Sequence, residues 1–238
     1  MNWVVAMLFV VGSVVFVINA ALGLAPFLDP SLAFPTLATI ALPGTILIGA
    51  TMFMTGGILG VFAAFNAERG TLEKSDTKSI EGGANIVYRP ALISSPAWVW
   101  IPSAADAATV LRTVPFRAGL MQLSGGLILS TSAAAGIPGL LDPNNLFITQ
   151  ALVFMPQVIG GSMFFFANFA LMVYAQDTWH KPKFASAEWQ GALWNALGST
   201  GFALTGVLLL ESDIFGASAV SFAGSFAFLI EALFSGTC

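Results

Sequence analysis

The chain has 238 residues, of which 57% are hydrophobic and 8% are charged, and its formal net charge is −4. A soluble domain carries about 25% charged residues, so this composition excludes a water-soluble globular protein. The small net charge gives no reason to expect a nucleic acid or another highly charged partner. The single cysteine, Cys238, excludes an intrachain disulfide and a multi-cysteine metal site.

Six apolar segments are each long enough to cross a bilayer, which takes about 20 residues, and all six are predicted to be helices. They cover residues 3–25, 36–65, 116–138, 146–175, 189–210 and 214–234. The sequence therefore predicts an all-α, multi-pass integral membrane protein. It divides into hairpin 1 (1–65), a cytoplasmic loop with an interfacial segment (66–115), hairpin 2 (116–175), a short basic cytoplasmic loop (176–188) and hairpin 3 (189–238).

The charged residues predict an orientation in the membrane. All eight basic residues lie in, or at the edge of, two of the connections between predicted helices. Cytoplasmic loops are enriched in Lys and Arg, so these connections and both chain termini are predicted to be cytoplasmic. In the longer connection, Ser103 is predicted to cap a short surface helix over residues 104–114. The other three connections carry acidic residues, namely Asp29, Asp142, Glu211 and Asp213.

A short phrase, Gly-Ser-x-x-Phe, recurs inside the apolar segments, for example at 12–16, 161–165 and 198–202. Glycine and serine let neighbouring membrane helices approach closely, so each phrase is predicted to be a helix contact near the bilayer midplane. The regular repetition predicts three tandem helical hairpins with pseudo-threefold packing about the membrane normal. The predicted contact residues are Gly12, Ser13, Gly49, Gly125, Gly161, Ser162, Gly198, Ser199, Gly224 and Ser225.

Polar residues recur seven positions after these glycines, which is nearly the same helix face. Two amides three positions before a glycine join the set. A polar group in hydrocarbon needs a partner, so these side chains are predicted to face the interior. Two interpretations are open: hydrogen bonds between helices, or a polar cavity along the bundle axis. The candidates are Asn19, Gln122, Ser132, Asn168, Asn195, Thr205 and Glu231, the last being the one ionisable residue well inside a predicted span.

Four apolar phrases, at 9–16, 122–126, 156–162 and 194–202, resemble the YrhK-like integral membrane proteins of fungi and bacteria. Proteins of that family carry repeated Gly-Ser-x-x-Phe helices and a Trp-x-Pro element before the middle hairpin, as at 100–102 here. The third predicted helix departs from the pattern, because it lacks the expected phenylalanine. The resemblance implies a multi-pass membrane protein, and because the family has no established activity it implies no functional residue.

No catalytic, metal-binding or cofactor-binding motif occurs, so no catalytic residue, metal or cofactor is predicted. The leading hypothesis is a non-enzymatic membrane protein that binds a small or lipid-like molecule, or passes it through the helix bundle. One alternative is a structural or accessory subunit with a filled centre, assembled with further copies or with a partner chain. The other is an intramembrane enzyme acting on an apolar substrate, like a terpene cyclase, with Glu231 or an acid of the exterior connections facing an enclosed pocket.

Overall fold

The computed structural model describes residues 2–67, 69–74, 86–89, 91–93, 95–142 and 144–235; Cys238 lies outside these ranges. The described chain is almost entirely helical. Its α-helices are α1 (Asn2–Leu28), α2 (Leu42–Asn66), α3 (Ala104–Val110), α4 (Val114–Ala135), α5 (Leu146–Thr149), α6 (Met155–Tyr174), α7 (Ala187–Leu210) and α8 (Ile214–Ser235). Two short strands, β1 (Thr71–Lys74) and β2 (Ile86–Arg89), pair antiparallel in the long connection, where no strand was expected.

Five helical segments are long and apolar enough to cross a membrane, which confirms a multi-pass helical membrane protein by length and composition. They are Trp3–Leu28, Leu37–Asn66, Leu146–Tyr174, Ala187–Leu210 and Ile214–Phe234. Helix α4 corresponds to the remaining predicted span but is not among the five. It has 22 residues, but Arg117, Gln122 and several hydroxyl-bearing residues lower its hydropathy.

The six long helices form a closed ring in which α1 contacts α2, α2 contacts α4, α4 contacts α6, α6 contacts α7, α7 contacts α8, and α8 returns to α1. Neighbours run antiparallel, as the ring contacts Phe65–Phe116 between α2 and α4 and Phe27–Phe215 between α1 and α8 illustrate. Helices α2 and α4 share the least extensive of these six contacts. The ring therefore encloses a central space, and its helices are least closely packed between α2 and α4.

Two π-helical turns precede the second and fourth of these long helices. They span Leu37–Ala41 and Gln150–Phe154, and each is followed within two residues by a proline, Pro43 or Pro156. Proline lacks a backbone N–H, so the i→i−4 hydrogen-bond pattern is interrupted at that point. The wider turns place the chain so that each proline lies in the first turn of the helix that follows.

The long connection is fastened to the end of α2 by one buried amide. The Asn66 Oδ1 accepts from the Val99 N–H at 2.8 Å, and its Nδ2 donates to the Val99 carbonyl at 2.9 Å. Trp98 is buried beside this pair, and Trp100 packs edge-on against Phe62. Helix α3 begins at Ala104 with Ser103 as its N-cap, as predicted, but it ends at Val110. It ends early because α4 starts at Val114 with a proline in its first turn.

An ion pair between Arg69 and Asp106 of α3 makes the stability of this connection depend on pH. The Ser103 hydroxyl donates to Asp106 at 2.7 Å, and Arg69 contacts the same carboxylate at 2.6 Å. The serine hydrogen bond, and then the charge of Arg69, hold the pKa of Asp106 below its usual value. A lowered pKa stabilises the fold fully above the unfolded value of about 3.9, and this contribution is lost as the pH falls through the folded pKa.

We therefore expect Asp106→Asn to lower the apparent unfolding midpoint slightly at pH 5–7, while its midpoint converges with that of the wild type as the pH falls through the lowered pKa of Asp106. Thermal unfolding in detergent across this pH range measures the difference. A gap between the two proteins that stays constant down to the lowest pH would contradict the assignment.

Candidate functional site

A central cavity of about 910 Å³ lies inside the ring and is lined by all six long helices. Ligand pockets in proteins are typically about 300–1,000 Å³, so this space is large enough for a lipid-like or drug-sized molecule. Every residue of the predicted polar interior lines it. These residues are Asn19, Gln122, Ser132, Asn168, Asn195, Thr205 and Glu231.

Phenylalanine rings occupy the middle of the bundle and line the same cavity; we call Phe16, Phe53, Phe164, Phe202 and Phe228 the phenylalanine layer. Four of them form a closed circuit with ring centroids 5.0–5.8 Å apart. Phe164 contacts this circuit only through Phe228, at 6.5 Å. The layer therefore occupies the centre of the bundle between α1, α2, α7 and α8.

Glycines make room for these rings in a reciprocal way. A Cβ added to Gly12 would lie 2.8 Å from the Phe53 ring, and one added to Gly49 would lie 2.5 Å from the Phe16 ring. In α7, Gly198 faces Phe228 in the same manner, at 2.8 Å. In α1 and α2 each helix thus offers a glycine to the ring of its neighbour, whereas Gly224 of α8 faces the backbone of Gly198 and Gly201; both arrangements allow close packing without a hydrophobic driving force.

Helix α6 departs from the predicted register by one residue. Gly160 faces Leu129 of α4, and Gly125 of α4 faces Phe164, so the contact within this helix pair uses Gly160 and Phe164. Gly161 instead faces α7, where an added Cβ would lie 2.6 Å from the Ala203 nitrogen. The two adjacent glycines therefore contact two different helices, α4 and α7. The predicted phrase at 161–165 therefore does not mark the contact with α4.

The serines of the phrase have different environments. Ser13, Ser199 and Ser225 are fully buried, whereas Ser162 is only half-buried. The Ser199 hydroxyl donates to the Asn195 carbonyl at 2.6 Å, and Ser225 donates to Ser221 in its own helix at 2.8 Å. The Ser13 hydroxyl has no hydrogen-bond partner in the described part of the chain. These residues are helix-contact positions, and none of them lines the central cavity.

Three amides are hydrogen-bonded in a row across α4, α6 and α7; we call Gln122, Asn168 and Asn195 the amide cluster. Gln122 Nε2 donates to Asn168 Oδ1 at 2.9 Å, and Asn168 Nδ2 donates to Asn195 Oδ1 at 2.7 Å. Asn168 Nδ2 also donates to the Phe164 carbonyl at 2.8 Å. Asn168 is only 2% exposed and Asn195 9%. The cluster connects three helices and presents its two outer amides to the cavity.

On the other side of the phenylalanine layer, three further polar residues each donate a hydrogen bond to the adjacent helix. Asn19 donates to the Leu42 carbonyl at 2.8 Å, Ser132 to the Val153 carbonyl at 2.6 Å and Thr205 to the Ala217 carbonyl at 3.3 Å. Each acceptor lies seven residues before the contact glycine of its own helix, Gly49, Gly160 or Gly224. The same contact thus recurs in three helix pairs, with Gly160 as the reference glycine of α6. The Thr205 hydroxyl lies closer to the Gly201 carbonyl of its own helix, at 2.9 Å.

Glu231 is 8% exposed and lines two spaces at once. It borders the central cavity and also a second pocket of about 370 Å³ between α1 and α2. This lateral pocket is otherwise lined by small and apolar residues, namely Val5, Ala6, Phe9, Gly60, Ala63, Ala64 and Ala67. Glu231 is therefore held inside the bundle, next to a lateral opening.

Some cavity residues were missed by the sequence analysis. Gln157 and Ser221 line the cavity three residues before Gly160 and Gly224, which is the spacing that identified Gln122 and Asn195. The same rule would have found Ser221, but counted from the predicted Gly161 it gives Val158 and so misses Gln157. Among the described residues, no three His, Cys, Asp or Glu side chains come together as a metal site.

No family model matches the chain, and neither a curated protein nor a solved structure matches it. The likeness to the YrhK-like family therefore stays a prediction.

Proposed function

We propose that this protein is a six-span membrane protein that binds a small, largely apolar molecule in the centre of its helix ring. The sixth crossing is α4, whose 22 residues span about 33 Å at about 1.5 Å per residue, enough for a hydrocarbon core of about 30 Å. The basic connections and both termini lie on the cytoplasmic side in this arrangement.

We further propose that the ring consists of three repeated hairpins, α1–α2, α4–α6 and α7–α8, related by a pseudo-threefold axis. The support for this repeat is the bond that recurs from Asn19, Ser132 and Thr205 to a carbonyl seven residues before a glycine. Each hairpin then contributes one wall of the cavity.

The observation that carries the binding proposal is the cavity of about 910 Å³. Protein interiors are close-packed and hold few voids larger than a water molecule, so a purely structural bundle is expected to have a filled centre. Phenylalanine rings and a few convergent polar groups line this one, which is the composition typical of ligand sites. Passage across the membrane would in addition require the phenylalanine layer to open.

Filling the cavity tests the proposal, and Gly119 of α4 is the place to fill it. Gly119 lines the cavity, and an added Cβ would have no atom within 4 Å, so Gly119→Leu occupies ligand space without forcing the helices apart. We expect at least about tenfold weaker binding of 1-dodecanol, or about 1.4 kcal/mol, measured by native mass spectrometry of the detergent-solubilised protein.

Gly44→Leu is the matched control, because Gly44 of α2 is equally open but does not line the cavity. Both variants gain the same helix preference over glycine. The proposal would be overturned if the Gly119→Leu and Gly44→Leu variants bound 1-dodecanol equally tightly.

A further inference from the structure

The orientation of the amide cluster follows from one backbone carbonyl. A carbonyl oxygen can only accept, so the Asn168 atom 2.8 Å from the Phe164 carbonyl is the Nδ2 nitrogen. Asn168 Oδ1 must then face Gln122, which supplies its Nε2 as donor. The other hydrogen of Asn168 Nδ2 goes to Asn195 Oδ1. Gln122 Oε1 and Asn195 Nδ2 are consequently the two atoms left at the ends of the cluster.

These two end atoms are available to a ligand. Within the described part of the chain, Gln122 Oε1 accepts no hydrogen bond and Asn195 Nδ2 donates none. Both residues line the central cavity, and Asn195 is more than nine-tenths buried. Each atom is therefore free to form a hydrogen bond with a complementary group in the cavity.

The two end atoms determine which kind of ligand group can bind. Asn195 Nδ2 needs an acceptor, which an ammonium group lacks, and Gln122 Oε1 needs a donor, which a carboxylate lacks. A hydroxyl or an amide supplies both. The apolar remainder of such a molecule fits against the phenylalanine layer, which lines the same cavity.

We infer that the cavity binds an amphiphile with an uncharged donor–acceptor head, a hydroxyl or an amide, held between Asn195 Nδ2 and Gln122 Oε1. This inference rests on the proposed binding function and specifies the chemical class of its ligand. Asn168 acts as a positioning residue, because its bonds to Gln122 Nε2 and Asn195 Oδ1 fix which atom of each outer amide is left for the ligand.

A series of probes with one chain and different heads tests the inference. Native mass spectrometry would compare dodecane, 1-dodecanol, dodecanamide, dodecylamine and dodecanoate on the full-length protein. We expect the alcohol, the amide or both to bind about tenfold more tightly than dodecane and the two charged probes, which is the effect of one or two hydrogen bonds. The tighter of the two identifies the head. Equal binding of all five probes would overturn the inference.

Variants link the preference to the named atoms. Gln122→Met removes the acceptor at nearly constant length, and we expect the dodecanol-to-dodecane affinity ratio to fall, because only the Asn195 Nδ2 donor remains for the alcohol, while dodecane still binds. Gln157→Met is the matched control, because Gln157 lines the same cavity but is not part of the amide cluster. Its ratio should match that of the wild type. Asn195→Leu, which removes the donor, provides a second measurement if Gln122→Met does not fold.

The two proposals fail in different ways. If dodecane and dodecanol bind equally and Gly119→Leu weakens both, the cavity binds ligands but the head-group inference is wrong. If no probe binds, or if Gly119→Leu weakens none, the proposed function itself is wrong. An unchanged ratio in Gln122→Met, with a preference for alcohol in the wild type, would also overturn the assignment to the amide cluster.

Discussion

Gly161→Ala is expected to destabilise the protein, whereas Gly119→Ala is expected to stabilise it. An added Cβ at Gly161 would lie 2.6 Å from the Ala203 nitrogen and 3.0 Å from the Ser199 carbonyl oxygen, both backbone atoms of α7. Backbone cannot move aside as a flexible side chain can, so α6 and α7 must separate. Overpacking of this kind costs about 1–3 kcal/mol, and the higher helix preference of alanine offsets at most about 1 kcal/mol.

At Gly119 no atom lies within 4 Å of an added Cβ, so only the helix preference acts there. Apparent unfolding midpoints of both variants in the same detergent measure the contrast. Gly201→Ala provides a second case, because its Cβ would lie 2.7 Å from the Gly224 Cα. Shifts of the same sign at Gly161 and Gly119 would show that α6 and α7 are not in backbone contact.

Asn168→Leu is expected to destabilise the protein by about 2 kcal/mol. The change removes the middle of the amide cluster: Gln122 Nε2 loses its acceptor, and Asn195 Oδ1 keeps only the Ser199 hydroxyl, at 3.4 Å. An unsatisfied buried group costs about 1–3 kcal/mol, although hydrogen bonds between membrane helices average nearer 0.6 kcal/mol by double-mutant cycles. Gln122→Leu removes only one of these bonds and should have a smaller effect.

A double-mutant cycle separates this network from simple loss of polarity. If Asn168 and Gln122 interact, the double variant Gln122→Leu/Asn168→Leu should be less destabilised than the sum of the single variants. Reversible unfolding by sodium dodecyl sulfate in mixed micelles gives the three free energies. Strict additivity would mean that the bond between these two side chains contributes nothing to stability.

Much of the helix packing could be predicted from the spacing of small residues, because glycine in an apolar helix has few other uses. The sequence could not assign the two adjacent glycines of α6, Gly160 and Gly161, since either satisfies the spacing. Only the arrangement of neighbours shows that the first faces α4 and the second faces α7. Such a one-residue choice depends on the rotation of the helix, which local sequence does not determine.

The cavity itself could not be predicted, although the residues that line it could. Gly119 and Gly161 are the same residue type in similar apolar surroundings, yet one faces empty space and the other touches backbone. The difference is the separation of the helices, which is set by all of the side chains between them. The amide cluster illustrates the same limit: the spacing predicted inward-facing polar residues, and left open whether they bond to each other or line a cavity. In the structure they do both.

The closure of the ring between α1 and α8 has a consequence for how the protein is made. Helix α1 must wait for α8 before its final neighbour exists, because Phe27 of α1 packs against Phe215 of α8. Throughout synthesis, one flank of α1 therefore faces lipid or the insertion machinery. A nascent chain that stops before α8 leaves the central space open to the bilayer, so the completed chamber can exist only after α8 has been synthesised.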